Sequence, residues 1–184
     1  GTGRSKVLAS VEAAKWFVDH MPGMEPDADG DHAAVAVVGF NATAWIEVPL
    51  TGDRAALHAG LDRLPDKVVE QTRLDLAIER GADATRGAGH RPTNRKVIVL
   101  LTDGLPNQIP VAEDGTMETT VYNHARAAKD EGNRIYTIAI GAPADTNPVL
   151  LKTVATDPTM YFYMPDADDL EQVYAEIQGS LGCR

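Results

Sequence analysis

The chain has 184 residues, 43% of them hydrophobic and 24% charged, with a formal net charge of −10 at pH 7; it suits one globular domain with a full core. An acidic balance with no basic cluster, and an aromatic content of 5%, exclude a typical nucleic-acid binder, and no apolar run approaches the length of a membrane span. The single cysteine, Cys183, excludes an internal disulfide and a cysteine-based zinc site.

Ser5 to Met21 reads as an amphipathic helix. Val7, Val11, Ala14, Val18 and Met21 recur at helical spacing, Ser5 stands at the N-cap, and Pro22-Gly23 stops the helix. A polar, acidic loop leads to Ala33–Phe40, an apolar run that reads as a buried strand. Asn41-Ala42 turns the chain, and the alternation from Thr43 to Val48 predicts an antiparallel partner strand at one edge of the sheet. Asp53 opens a helix with Leu57, Leu61 and Leu64 on its apolar side, and Leu74 to Thr85 forms the next.

Lys96 to Thr102 is an unbroken, β-branched apolar run that ends in Asp103-Gly104. Apolar on both faces, it reads as the central strand of a parallel sheet covered by helices on each side. Open α/β sheets place their ligands at the carboxyl ends of such strands, which makes Asp103 a candidate functional acid. Capping the next turn is the competing use of an aspartate there. A polar stretch from Leu105 to Thr119 is followed by a helix over Thr120–Lys129 and a strand over Arg134–Ile140. A short helix over Pro148–Ala155, an aromatic edge strand over Met160–Met164 and a last helix over Ala167–Leu181, capped by Asp166, complete the chain. This alternation predicts a doubly wound α/β fold: a mostly parallel sheet with one antiparallel edge strand.

One strand is missing from that pattern. Parallel strands are joined by right-handed crossovers in which a helix follows its strand, yet the Ser5–Met21 helix has no strand before it. The expectation is a single domain over residues 1–184 that is incomplete at its N-terminus.

The residues in order resemble a von Willebrand factor type A (VWA) domain of bacterial type. Gly3-Arg4-Ser5-Lys6-Val7-Leu8 is similar to the stretch just after that family's Asp-x-Ser-x-Ser motif. Thr72-Arg73-Leu74-Asp75-Leu76-Ala77-Ile78 is similar to its threonine loop and third helix, and Leu100-Leu101-Thr102-Asp103-Gly104 to its central strand end. Asp53-Arg54-Ala55-Ala56-Leu57 and Pro165-Asp166-Ala167-Asp168-Asp169-Leu170 match the approaches to its second and final helices.

The resemblance implies a Rossmann-like fold carrying a metal-ion-dependent adhesion site, the MIDAS motif. There Mg²⁺, or another divalent cation, is held by hard oxygen donors and recruits a carboxylate from a partner protein. It implies Thr72 as the threonine ligand and Asp103 as the second aspartate. The other three ligands belong to the Asp-x-Ser-x-Ser strand, so metal binding is conditional on that segment being supplied. Gln71 and Arg73 flank the threonine where Gly and Asn are frequent in the family; a cation there either weakens the metal or grips an acidic ligand.

Residue by residue, simpler roles stand beside these. Thr72 is also placed to cap the helix that starts at Leu74, with Asp75 as a box-like partner. Glu113, Asp114 and Glu118 read as a solvated acidic rim, and Asp166, Asp168 and Asp169 as acids at a helix N-terminus. His20, His32, His58, His90 and His124 lack metal-ligand spacing, and Trp16 and Trp45 read as packing residues.

The leading functional expectation is a non-enzymatic module that binds an acidic residue of a protein ligand, within a parent protein that has other domains. The rivals are a magnesium-dependent phosphohydrolase using Asp103 and a metal-free structural domain. No phosphate-cradling glycine loop and no base–nucleophile pair support the enzyme.

In the family the absent strand lies between those that Ala33–Phe40 and Lys96–Thr102 resemble. Neighbouring strands lie about 4.8 Å apart, so its flanks should be separated by roughly twice that. The gap should be filled by upstream residues or by a strand of another chain, and the 184 residues alone should not fold stably into this architecture. Direct pairing of the two flanking strands would remove the footing for the missing ligands.

Overall fold

The computed structural model describes residues 2–25, 32–67, 69, 71–107, 110–112, 115–164 and 169–181, and for residues 2–5 the backbone alone. In chain order the elements are α1 (Thr2–His20), β1 (Val35–Phe40), β2 (Ala44–Thr51), α2 (Arg54–Arg63), α3 (Leu74–Thr85), β3 (Lys96–Thr102) and α4 (Met117–Asp130). They continue with β4 (Asn133–Ile140), α5 (Pro143–Thr146), α6 (Pro148–Val154), β5 (Tyr161–Met164) and α7 (Leu170–Leu181).

The strands form two sheets. β3, β4 and β5 are parallel neighbours in that order, with Lys96 opposite Asn133 and Thr102 opposite Ala139. β1 and β2 form a separate antiparallel pair, with Phe40 opposite Ala44 across the Asn41 turn. The predicted antiparallel partner is therefore present. Its far end runs on through Pro49, which a strand paired on one side tolerates.

Helices cover both faces of the parallel sheet because β3 is apolar on both. Ile98 and Leu100 face Leu74, Ile78, Val121 and Leu151 of α3, α4 and α6. Val97, Val99 and Leu101 face the other layer, where Ala13 of α1 meets Leu170, Val173 and Ile177 of α7. A third cluster seats α1 and α2 on the hairpin through Val11, Val18, Val37, Val48, Leu57 and Leu61. Gly60 lets α2 approach β2 closely, since a Cβ there would lie 2.1 Å from Val48.

β1 and β3 do not pair. They are tied at their ends instead. Asn94 Nδ2, just before β3, donates to the His32 carbonyl ahead of β1 at 2.8 Å. At the far end, Arg73 N–H donates to the Asn41 carbonyl after β1, and Asn107 N–H, after β3, donates to the Thr72 carbonyl, each at 3.0 Å. Matching ends are thus tied to matching ends, so β1 and β3 point the same way. Between the ties lies a cleft of about 1310 Å³, lined by β1, β3, α1 and α3.

Several boundaries differ from the sequence expectation. α1 begins at Thr2, which puts Ser5 inside the helix rather than at its cap. α4 begins at Met117, three residues early, because Thr116 caps it by accepting from Thr119 N–H. Asp166, Asp168, Glu113, Asp114 and Cys183 lie outside the described residues.

Candidate functional site

Thr72 and Asp103 lie on the rim formed by the carboxyl ends of β1 and β3. The loop before α3 is clasped to the loop after β3 by a reciprocal pair. Thr72 N–H donates to Asn107 Oδ1 and Asn107 N–H to the Thr72 carbonyl, both at 3.0 Å. A third bond ties the same loop to the end of β1 through Arg73 N–H and the Asn41 carbonyl. Asn41 is itself braced, its Nδ2 donating to the Lys67 carbonyl at 3.0 Å.

The clasp brings Thr72 against the residue after Asp103. A Cβ on Gly104 would lie 3.2 Å from Thr72 Oγ1, so a side chain there would crowd the hydroxyl. Capping does not explain Thr72: the N-cap of α3 is Arg73, which makes no side-chain capping bond. Capping the next turn does not explain Asp103 either. Thr102 Oγ1 accepts from Gly104 N–H and donates to the Gly104 carbonyl instead.

Asp103 keeps 46% of its side chain exposed, and among the described residues Lys6 Nζ of α1 is the cation beside it, at 4.0 Å. Lys6 also abuts the turn after β4, where a Cβ on Gly141 would lie 2.9 Å from its Nζ. Gly141 has a φ of +111°, a conformation that side-chain-bearing residues avoid.

Arg73 does not reach toward a ligand. Its Nε and Nη2 form a two-pronged pair with the Asp75 carboxylate at 2.9 and 2.6 Å. Asp75 is only 2% exposed. Burial pushes the Asp75 carboxyl up, but the bonds from Arg73 and from the Leu76 N–H outweigh it and hold the carboxyl below its ordinary range. Of the two roles the sequence left open for this cation, its charge is answered locally.

The donors on this rim fit a hard divalent cation in kind: a hydroxyl not engaged in a cap and a half-exposed carboxylate. They are two, and Mg²⁺ takes six. Among the described residues no group of three His, Cys, Asp or Glu side chains gathers at a point. Three of the five histidines are engaged elsewhere: His58 meets Asp19 at 2.9 Å, His124 lies 3.7 Å from Glu79, and His20 stacks on Trp16.

The sequence did not mark Asn107; it gave Asn41 only as a turn, Lys6 only within a motif, and Arg73 and Asp75 without pairing them. Asn107 had one signal, an asparagine directly after Pro106 in the loop leaving the ligand edge of the sheet.

The family model for the von Willebrand factor type A domain matches residues 2–176. Among curated proteins, a UPF0353 protein of Mycolicibacterium paratuberculosis is 30% identical over 196 residues, covering 97% of this chain and 55% of its own length. A UPF0353 protein of Mycobacterium marinum is 28% identical with the same coverage. The chain thus spans about half the length of the curated relatives it matches.

Among solved structures, the vWF domain of the type V pili tip protein Mfa5 of Porphyromonas gingivalis superposes with a TM-score of 0.80 at 14% identity. The superposition covers 98% of this chain and 89% of that one. Proximal thread matrix protein 1 from the mussel byssus, with a zinc-occupied MIDAS motif, gives a TM-score of 0.77 at 17% identity over 94% of this chain and 42% of that one. With these α/β layers and this carboxyl-end rim, and a family model matched over nearly its whole length, the chain belongs to the von Willebrand factor type A domain family.

Proposed function

We propose that this domain is a non-enzymatic protein-binding module that holds a divalent cation, Mg²⁺ by donor chemistry, beside Thr72 and Asp103 and through it recognises a carboxylate of a partner protein. The observation that carries the proposal is the clasp: Asn107 brings the Thr72 hydroxyl against Gly104, next to Asp103. The pilus-tip and zinc-occupied MIDAS neighbours support an adhesion-type role.

When bound, the ion supplies a positive charge that these donors leave underneutralised. The chain's own residues orient the site. Asn107 fixes the Thr72 backbone, Asp75 holds Arg73 out of the way, and Leu105, 45% exposed, offers an apolar rim for a partner to cover.

The test is Mn²⁺ titration, monitored by magnetic resonance of the free ion, on a chain extended to carry an Asp-x-Ser-x-Ser strand ahead of residue 1. The expected result is one site, weakened at least tenfold by Asp103→Ala and by Thr72→Val with the far-ultraviolet circular dichroism unchanged. Unaltered affinity in Asp103→Ala sinks the assignment. Mg²⁺-dependent turnover of p-nitrophenyl phosphate that Asp103→Ala abolishes would replace the binding module by the phosphohydrolase.

A further inference from the structure

Thr72 stands near the end of the link that carries the chain from α2 to α3. None of the described residues from 64 to 73 is buried. Leu64 leans on the cluster under the hairpin; beyond it, hydrogen bonds rather than core packing hold the link. Those bonds converge on the β1–β2 hairpin.

Lys67 is gripped at two points. Its Nζ lies 2.5 Å from Glu47 Oε2 on β2 and 5.2 Å from the centre of the Trp45 ring. Its carbonyl accepts from Asn41 Nδ2 at 3.0 Å. Glu47, 5% exposed, is a firm anchor, because Arg63 Nε at 2.5 Å and the Trp45 indole N–H at 2.7 Å hold the same carboxylate. The far end of the link returns to the same turn, where Arg73 N–H donates to the Asn41 carbonyl at 3.0 Å. Asn41 completes its bonding with Thr43, accepting from its N–H on Oδ1 at 3.0 Å and donating to its carbonyl at 2.8 Å. The side chain of Asn41 therefore donates and accepts at once, which a carboxylate at this position could not do.

We propose that Asn41 and Lys67 are positioning residues for the cation site. Between them they pin the α2–α3 link to the hairpin and so fix where the Thr72 hydroxyl stands. The assignment rests on the reading of Thr72 as a cation ligand. Neither residue acts on the ion; both act through the backbone beside Thr72. Thr72 is then braced from two sides, by Asn107 on the β3 side and through Arg73 and Asn41 on the β1 side. With one brace gone, the hydroxyl swings about the other. Mg²⁺ demands near-ideal octahedral geometry, so a displaced donor lowers affinity. Glu47, on the second strand of the hairpin, becomes the outer anchor of a ligand that it does not touch.

The test has two readouts on the extended chain used for the Mn²⁺ titration. The first, without metal, is amide hydrogen exchange followed by nuclear magnetic resonance. Arg73 N–H should exchange at least about tenfold faster in Asn41→Ala and severalfold faster in Lys67→Met, while the β3–β4 ladder keeps its rates. Lys67→Arg keeps a cation facing Glu47 and should hold Arg73 near its wild-type rate. If Asn41→Ala opens the whole hairpin, Lys67→Met, at an exposed position, decides the matter. The second readout is Mn²⁺ affinity, which should fall about threefold to tenfold in Asn41→Ala and Lys67→Met and recover in Lys67→Arg. Arg86→Met is the control: it removes an ion pair with Asp83 and Glu131 at the other end of α3 and should leave affinity unchanged.

Unaltered Arg73 exchange in both variants overturns the proposal. So does an equal loss of affinity in Arg86→Met, which would mark a general stability effect. A wild type that binds Mn²⁺ no better than Asn41→Ala and Lys67→Met do overturns the positioning role alone. A wild type that binds no Mn²⁺ overturns the cation reading, and the role of these two residues with it.

Discussion

Asn107 is the residue whose loss separates positioning from ligation. Its side chain accepts one bond, from the Thr72 N–H, and acts on the backbone beside the hydroxyl rather than on the hydroxyl itself. Removing a neutral hydrogen bond costs about 1 kcal/mol of stability. Asn107→Ala should therefore lower the melting temperature by only a few degrees while weakening divalent-cation affinity roughly fivefold to tenfold, about the 1.4 kcal/mol of one decade. Asn107→Asp keeps an acceptor for the Thr72 N–H and should recover most of the affinity. Calorimetric titration of both variants checks this; a loss in Asn107→Ala that Asn107→Asp does not recover would point to a plain stability effect. Sequence reading reaches Thr72 and Asp103 through the order of the motifs. It misses Asn107 because the clasp joins residues 35 positions apart. It misses the Arg73–Asp75 pair because residues two apart do not face each other on a helix, and Arg73 stands just outside one, at the N-cap.

At the scale of elements, the strongly periodic segments are legible and the polar starts are not. The bounds of α3 and β3 follow from Leu74, Ala77 and Ile78 and from the apolar run through Leu101. The start of α4 is hidden because Met117-Glu118-Thr119 reads as loop until Thr116 is seen capping it. The four-residue α5 has too little pattern to announce itself. The hairpin depends on a contact that alternation could not show. Glu47 of β2, 5% exposed on its side chain, takes Lys67 and Arg63 on its two oxygens and the Trp45 indole N–H as well. The Lys67 bond first, and the Arg63 and Trp45 bonds with it, hold the carboxyl down to about 2 against the opposing effect of burial. A carboxyl depressed in the folded state contributes stability above its unfolded pKa, and that stability is lost as pH falls through the folded value. Glu47→Gln should cost about 1–2 kcal/mol at pH 7, discounted because Lys67 and Arg63 are partly exposed. The difference between wild type and variant should shrink between about pH 4.5 and 2 in urea melts, and a gap independent of pH would show that the ion pairs contribute nothing.

For the whole molecule, the α/β class, the antiparallel edge pair and the break in strand order are legible in the sequence, because these rest on alternation and topology. How two sheets that do not pair are held in one body is not. The answer is two helices and two ties: α3 packs on β1, β2 and β3 alike, α1 joins the hairpin cluster through Val11 and Val18 and the layer over the parallel sheet through Ala13, and the Asn94–His32 bond and the Thr72 loop close the ends. Among the described residues no ladder of strand bonds crosses from the hairpin side to the parallel sheet. Cooperativity in a folded chain follows such connections, and weakly joined parts open as separate units. Native-state hydrogen exchange in rising denaturant should thus resolve two sub-global openings in the free chain. β1, β2 and α2 should release at low denaturant, while β3, β4 and α6 hold to the global limit. Merging of the two isotherms into one in the free chain would show that α1, α3 and the two ties couple the hairpin fully to the parallel sheet. The packing of α1 and α3 and the two end ties thus decide whether the hairpin and the parallel sheet open in two steps or in one.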